Sequence, residues 1–297
     1  MHALLDAIAR ATPGQDACRI FHGRGGLYPG CEHLSLDWYA PVWVLTSFQP
    51  LSDEALQSVQ AALNLRPEPL NLVLQIRQPG QVISDTRLVC GQLPEPHLVS
   101  EQGARYRVHV LRGQNHGLFL DMACGRQWLR EQAQDKRVLN LFAYTCAFSV
   151  AALQGGAAEV VNLDMAAGAL AIGQQNHQLN GLSGGRFLGH DLFKSWGKVK
   201  RVGPFDIVVA DPPSYQKGSF VATKDYARVV RRLPELLAPG GQALLCLNAP
   251  ELPSQFLQDL VATEAPALRF VRRLDNPAVF ADVDPERALK VLLFQMA

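Results

Sequence analysis

Residues 211–215 read Asp-Pro-Pro-Ser-Tyr and follow the apolar run FDIVVA. Two consecutive prolines fix the backbone and remove two N–H donors, so the carbonyls at that point are left to accept hydrogen bonds. Asp211 adds an anionic acceptor. Asp211, Pro212 and Pro213 together form a rigid acceptor group that can hold an amino or ring nitrogen in line with a methyl donor, where aligned geometry supplies much of the rate. Tyr215 can stack on a flat base or close a pocket over it. The plain alternative is an ordinary Pro-Pro turn with a tyrosine at its edge.

Other strand ends supply the rest of a candidate site. After RVLNLF (137–142) comes Ala143-Tyr144-Thr145-Cys146, and EVVNLD (159–164) ends in Asp164. An acidic residue about 20 positions beyond the first turn is placed to grip ribose hydroxyls. That first turn lacks the glycines of a dinucleotide fingerprint, which makes a pyrophosphate cofactor a poor candidate. S-adenosyl-L-methionine carries no phosphate and a positive sulfonium, which carboxylates at Asp164, Asp191 and Asp211 would favour. Any one such carboxylate is common in loops; three at successive strand ends carry more weight.

The elements that must position these residues fall into two textures. From Cys18 to Arg112 the chain is mainly β-rich, with the stretches LSLDWYAPVWVLTSF, NLVLQIR, DTRLVCG and ARYRVHVL. A helix over SDEALQSVQAALN, capped by Ser52, lies among them, and a short amphipathic helix covers residues 1–11. Pro94 and Pro96 mark a turn. We expect a small α+β domain over 1–112 and an α/β domain over 113–297. In the second, continuous apolar runs predict strands at 137–142, 159–164, 185–191, 205–211, 242–248, 267–273 and 289–295. Helices are expected at 121–134, 146–154, 166–180, 221–237 and 253–262, with Gly181 ending the third and a Pro239-Gly240-Gly241 turn after the fourth. Seven strands wrapped in this way make a doubly wound, Rossmann-like sheet.

Composition bounds the function classes. At 297 residues, 48% hydrophobic and 19% charged, the chain can bury a full core. A net charge of +1 gives no global nucleic-acid footprint, so any RNA would meet a local patch. The six cysteines have neither zinc spacing nor a C-x-x-C pair, so no metal is expected and free thiols in a reducing cytosol are. No signal-peptide pattern or membrane-length apolar run is present, and we expect a cytoplasmic monomer or homodimer without membrane contact.

Three stretches, GQNHGLFLDM from Gly113, NLFAYTCAFSVAALQGGAAEVVNLD, and DPPSYQKGSF from Asp211, resemble the large-subunit ribosomal RNA methyltransferase group that includes cytosine-C5 and guanine-N7 enzymes. FHGRGGLYPG…LSLDWY resembles the strand-rich domain that precedes the catalytic domain in that group. The resemblance covers about residues 18–250. It implies a class I methyltransferase fold, S-adenosyl-L-methionine as cofactor and an RNA base, in ribosomal RNA, as substrate. It also implies that Tyr144, Thr145, Asp164, Asp191 and Asp211 line the cofactor site, and we place Phe142, Met165 and Leu192 beside them.

Two departures from that group matter. Where it commonly carries glycines after Tyr-Thr, this chain has Cys146-Ala147, so the Cys146 side chain must fit beside the cofactor or point away. The cytosine-C5 members also use a cysteine at the end of the fifth strand as covalent nucleophile. Aligned on its glycine pair, GGQALLCLNAPEL holds Asn248 there, with Cys246 two residues earlier on the same strand face. Asn248 cannot attack a ring carbon but can hydrogen-bond a base edge. Methylation of a base nitrogen is therefore expected. C5 methylation through Cys246 and a non-catalytic cofactor- or RNA-binding assembly module are the alternatives. Candidate RNA contacts are Lys194, Trp196, Lys198, Lys200 and Arg201 in a basic turn, Arg228, Arg231 and Arg232 on a helix, and His22, Arg24 and Tyr28 near the N-terminus. A charge run is usually just a solvated face, and each of these charge clusters is more readily read so.

Overall fold

The computed structural model describes residues 1–77, 85–216 and 220–297. Two compact units emerge, Met1–Asp121 with Pro277–Pro285, and Met122–Asn276 with Glu286–Ala297. The expected boundary at 112/113 is thus displaced to Asp121/Met122, and nine residues from the far end of the chain belong to the first unit.

In the first unit, α1 (His2–Arg10) and the strands β1 (Cys18–His22), β2 (Leu34–Tyr39), β3 (Val42–Ser47), β4 (Leu72–Ile76) and β5 (Asp85–Cys90) surround α2 (Asp53–Asn64). The sheet order is β1-β2-β3-β4-β5, antiparallel except for β3 beside β4. That parallel pair follows from the crossover through α2, because a tight hairpin can only reverse the chain. All six residues of β2 and of β3 are buried, as central strands covered on both faces require. Ser52 caps α2 as expected, its hydroxyl accepting from the Ala55 amide at 3.2 Å, and Leu56, Val59 and Leu63 form its buried stripe. The hairpin β6 (Leu98–Glu101) and β7 (Ala104–Arg107) completes the unit.

The second unit contains α3 (Ala123–Gln132), β8 (Arg137–Leu141), α4 (Ala147–Gln154), β9 (Glu159–Asp164), α5 (Ala167–Leu179), β10 (Gly185–Gly189), α6 (Trp196–Val202) and β11 (Phe205–Ala210). After these come the two-residue pair β12 (Tyr215–Gln216) and β13 (Phe220–Val221), then α7 (Ala222–Val230), α8 (Leu233–Leu236), β14 (Leu237–Leu247), α9 (Ser254–Glu264), β15 (Leu268–Leu274) and β16 (Lys290–Met296). The seven-stranded sheet runs β10-β9-β8-β11-β14-β16-β15, with β16 antiparallel to both neighbours. This is a doubly wound, Rossmann-like sheet. Strand order reverses between β8 and β11, and a ligand crevice belongs beyond their carboxyl ends.

Period-two alternation divides the core. Val138, Val160, Ile207, Val209 and Leu244 join α3 and α4 residues on one face, while Leu139, Val161, Val208, Ala210 and Leu245 join α7 and α9 residues on the other. A buried polar chain interrupts the apolar packing. Asn140 donates to Asn162 (2.9 Å), Asn162 to the Ser149 hydroxyl (3.0 Å), and that hydroxyl meets His177 Nε2 at 2.8 Å. His177 Nδ1 faces the Gly173 carbonyl at 2.7 Å, which makes Nδ1 the donor and Nε2 the acceptor.

Three local expectations are corrected. The helix expected over 221–237 is two helices, because Pro234 lacks the N–H and crowds the preceding turn. Pro239-Gly240-Gly241 is an irregularity inside β14, which already pairs with β11 at Leu237 and again at Gln242. The basic turn at 194–201 is largely helical, as α6, with Val199 buried.

Candidate functional site

The row of paired residues Leu163, Leu141, Ala210 and Leu245 crosses four adjacent strands. One step beyond it come Asp164, Phe142 and Asp211, so the fold brings the ends of β8, β9 and β11 to one edge.

The turn from β8 into α4 is strained. Phe142, Tyr144 and Cys146 all have positive φ, at 57°, 47° and 61°. Each such non-glycine residue costs about 1–2 kcal/mol. Asp164 holds the turn, one carboxylate oxygen accepting from the Tyr144 amide and the other from the Ala166 amide, both at 2.8 Å. Cys146 lies wholly buried with Ala143 and Leu170, its sulfur filling the space left by the absent side chain of Gly173. Burial, with Asp164 nearby, raises its thiol pKa, so Cys146 stays protonated. Thr145 is buried too, its carbonyl accepting from the Asn176 side chain at 3.0 Å.

The amides of Ala143, Tyr144 and Cys146 are all bonded within the protein, to Leu163, Asp164 and Ala143 respectively. No phosphate cradle can be built from them. Asp164 still has lone pairs that accept from hydroxyls, and the neighbouring Met165 is 55% exposed, an apolar surface suited to a flat base. These groups fit a phosphate-free nucleoside cofactor such as S-adenosyl-L-methionine. Asp191 begins the next loop, accepting from the Phe193 amide at 2.9 Å with the Lys194 ammonium 3.5 Å away, while Leu192 is buried in the core.

Pro212 is buried, Asp211, Pro213 and Ser214 are half-buried, and Tyr215 is 69% exposed. The loop closes on itself, the Ala222 amide donating to the Ser214 carbonyl at 3.1 Å and Tyr215 pairing with Val221. Of DPPSYQKGSF, residues 217–219 lie outside the described residues. Phe220 is buried and its ring meets those of Phe142, Phe193 and Tyr226 at 5.3, 6.3 and 5.8 Å. Tyr226 donates to the Cys246 carbonyl at 2.8 Å, with the Ala210 carbonyl at 3.4 Å, and so ties the ends of β11 and β14 together. Burial keeps its phenol far above the usual pKa. Sequence reasoning missed Phe220 and Tyr226; the apolar spacing of Ala222, Tyr226, Val229 and Val230 on α7 was the available signal for the latter.

Asn248 is exposed just past the end of β14, whereas Cys246 is wholly buried in the core with Val209 and Leu244. The cations of α6, of α7 and of the turn between α7 and α8 are mostly ion-paired. Lys200 and Arg232 meet Glu235, Arg231 meets Glu264, and Arg228 meets Asp225 while its guanidinium lies 3.7 Å over the Phe193 ring. Lys198 contacts His190 at 3.0 Å. Among the described residues no cluster of His, Cys, Asp and Glu could hold a metal ion, and no helix is long and apolar enough to cross a membrane.

Residues 18–295 match the model of a family described as S-adenosylmethionine-dependent methyltransferase. The chain is 36% identical over 187 residues to a "Ribosomal RNA large subunit methyltransferase I" of Aeromonas salmonicida, covering 61% of this chain and 47% of the relative. It is 31% identical over 265 residues to the protein of the same name from an Enterobacter species, covering 85% and 66%. The chain thus spans about half the length of the first of these relatives. Among solved structures, a methyltransferase complexed with SAH aligns with a TM-score of 0.85 at 26% identity, covering 99% of this chain and 79% of that one. A methyltransferase from Streptococcus mutans aligns with a TM-score of 0.86 at 25% identity, covering 99% and 81%.

Proposed function

Because the chain belongs to the S-adenosylmethionine-dependent methyltransferase family, we propose that it methylates a base nitrogen in ribosomal RNA. One observation carries the choice of nitrogen: at the end of β14 the exposed side chain is Asn248, while Cys246 is sealed in the core. A covalent attack on a ring carbon needs an accessible thiolate, and Cys246 offers none. The relatives' names support ribosomal RNA as the acceptor.

When bound, S-adenosyl-L-methionine supplies an electrophilic methyl group. Asp164 would hold ribose hydroxyls with the lone pairs that Tyr144 and Ala166 leave unused, Met165 would offer an apolar surface to the adenine, and Asp191 would add an acceptor. The Asp211 carboxylate and the Pro212 carbonyl accept from the base's N–H groups and fix its nucleophilic nitrogen. Tyr215 stacks on the extruded base, and Asn248 reads its edge. Catalysis in this scheme is positioning: the prolines keep the acceptors rigid, and Phe220 and Tyr226 support them from below.

Transfer of labelled methyl from S-adenosyl-L-methionine into isolated RNA and protein fractions, followed by nucleoside mapping, tests the proposal. Label in an N-methylated nucleoside is the expected outcome. Label in 5-methylcytidine, or in protein alone, would overturn it.

A further inference from the structure

The first unit carries an arginine cluster that the methyl-transfer site does not use. Gly23, Arg24 and Gly25 form a 3-10 turn followed by Gly26 in left-handed backbone. A Cβ on Gly23 would lie 1.8 Å from the Cys31 carbonyl oxygen, and one on Gly25 would lie 2.0 Å from that of Ala281. The Val283 amide also donates to the Gly25 carbonyl at 2.8 Å. Backbone packing therefore pins this turn from two sides, and its one side chain is an exposed arginine.

The Arg24 guanidinium lies 3.9 Å over the Phe48 ring, and that of Arg77 lies 5.5 Å from the same ring centre. Arg77 donates to the Gln114 side chain at 3.1 Å. Neither arginine has a carboxylate partner among the described residues. Behind them Arg19 is clamped by both oxygens of buried Asp37 and donates to His22 Nδ1 at 2.7 Å. Partial burial, then the charges of Arg77 and Arg19, press the Arg24 pKa downward. Burial, Arg19 and Arg24 likewise depress that of His22 to about 4. Among the described residues, only Arg19 of the three arginines has a carboxylate that neutralises its charge. Two guanidiniums sharing one ring keep their planar forks available for phosphate oxygens. Tyr28, 40% exposed, packs on Phe21 at 4.9 Å.

From this geometry we infer that Arg24 and Arg77, arrayed on Phe48, form a binding site for the phosphodiester backbone of RNA. The inference rests on RNA being the substrate. It adds a contact that positions the RNA without reading its sequence. Phe48 fixes the arginines at little entropic cost, and the glycine turn sets the direction of Arg24.

The test measures binding of labelled oligouridylate to the full chain across a salt series. The Arg24→Gln/Arg77→Gln variant is expected to bind about tenfold or more weakly, with the slope of log affinity against log salt smaller by about 1 to 1.5. Thermal midpoint and SAH affinity should be unchanged. An Arg24→Lys/Arg77→Lys variant, which keeps charge but loses the fork, should recover the slope and only part of the affinity. RNA binding by the wild type that the glutamine variant retains in full sinks the arginine site alone. No RNA binding by the wild type sinks both this site and the RNA reading.

Discussion

Cys146 and Gly173 occupy one space: a Cβ on Gly173 would come within 2.5 Å of the Cys146 sulfur. The strained turn after β8 therefore depends on a position in the middle of α5. Gly173→Ala should destabilise the protein by about 1–3 kcal/mol through overpacking. Adding Cys146→Gly removes the sulfur and suits the φ of 61°, so the double variant should recover most of that loss. Urea unfolding of the four-membered cycle measures it; additive effects would refute the shared space.

Asp164 accepts two backbone amides through two oxygens. Asp164→Asn replaces one acceptor with a donor facing an N–H, which costs about 1–3 kcal/mol. We expect SAH affinity to fall at least tenfold by calorimetry while the circular dichroism spectrum is kept. Undiminished affinity would remove Asp164 from the cofactor site.

Asp211→Asn and Tyr215→Ala should separate binding from chemistry. Each is expected to lower kcat by about a hundredfold or more, as losses of positioning groups do, with SAH affinity changed only a few-fold for Tyr215→Ala. An unchanged kcat in either would remove that residue from the proposed acceptor clamp.

Cys246→Ala should keep methyl transfer within a few-fold of the wild type, since the thiol is enclosed by core side chains. Loss of transfer in a variant with an unchanged melting temperature would restore the covalent C5 route.

Acid should weaken the fold before its carboxylates titrate. Burial lowers the pKa of His97, His116 and His177, and burial with Arg19 and Arg24 lowers His22 to about 4. Between the unfolded value near 6.5 and these depressed ones, the unfolded chain binds more protons, so stability rises with pH in that window. It is fully present above about pH 6.5 and is lost as pH falls toward 4. Urea midpoints at pH 7, 6 and 5 should decrease, and His22→Gln should flatten the decrease.

The second unit was legible because its inner strands are largely continuous apolar runs, and strands buried on both faces leave little else for such runs to do. Asp164 and Asp211 could be placed because each ends such a run. The breaks in the prediction have local causes. Pro234 divides a helix whose apolar periodicity continues past it, and α6 is too short and lysine-rich for periodicity to reveal. Lys200 and Arg231 looked available for RNA, but Glu235 and Glu264 reach them from more than thirty residues away, while Asp225 and Glu235 pair with Arg228 and Arg232 at the i,i+3 spacing that a helix brings together. Likewise, the Cys146–Gly173 contact joins the turn before α4 to the middle of α5. Arg77 becomes significant only once β4 brings it to Phe48, beyond the end of β3.

The pinning of the Gly23–Gly25 turn by residues 281–283 also sets an order of events during synthesis. Almost the whole chain separates the two segments. At ~5–20 residues added per second, Arg24 leaves the ribosome roughly 13–50 s before the backbone that fixes its turn. Until then the turn lacks that support. A preorganised arginine there is consequently a property of a chain synthesised at least through Val283.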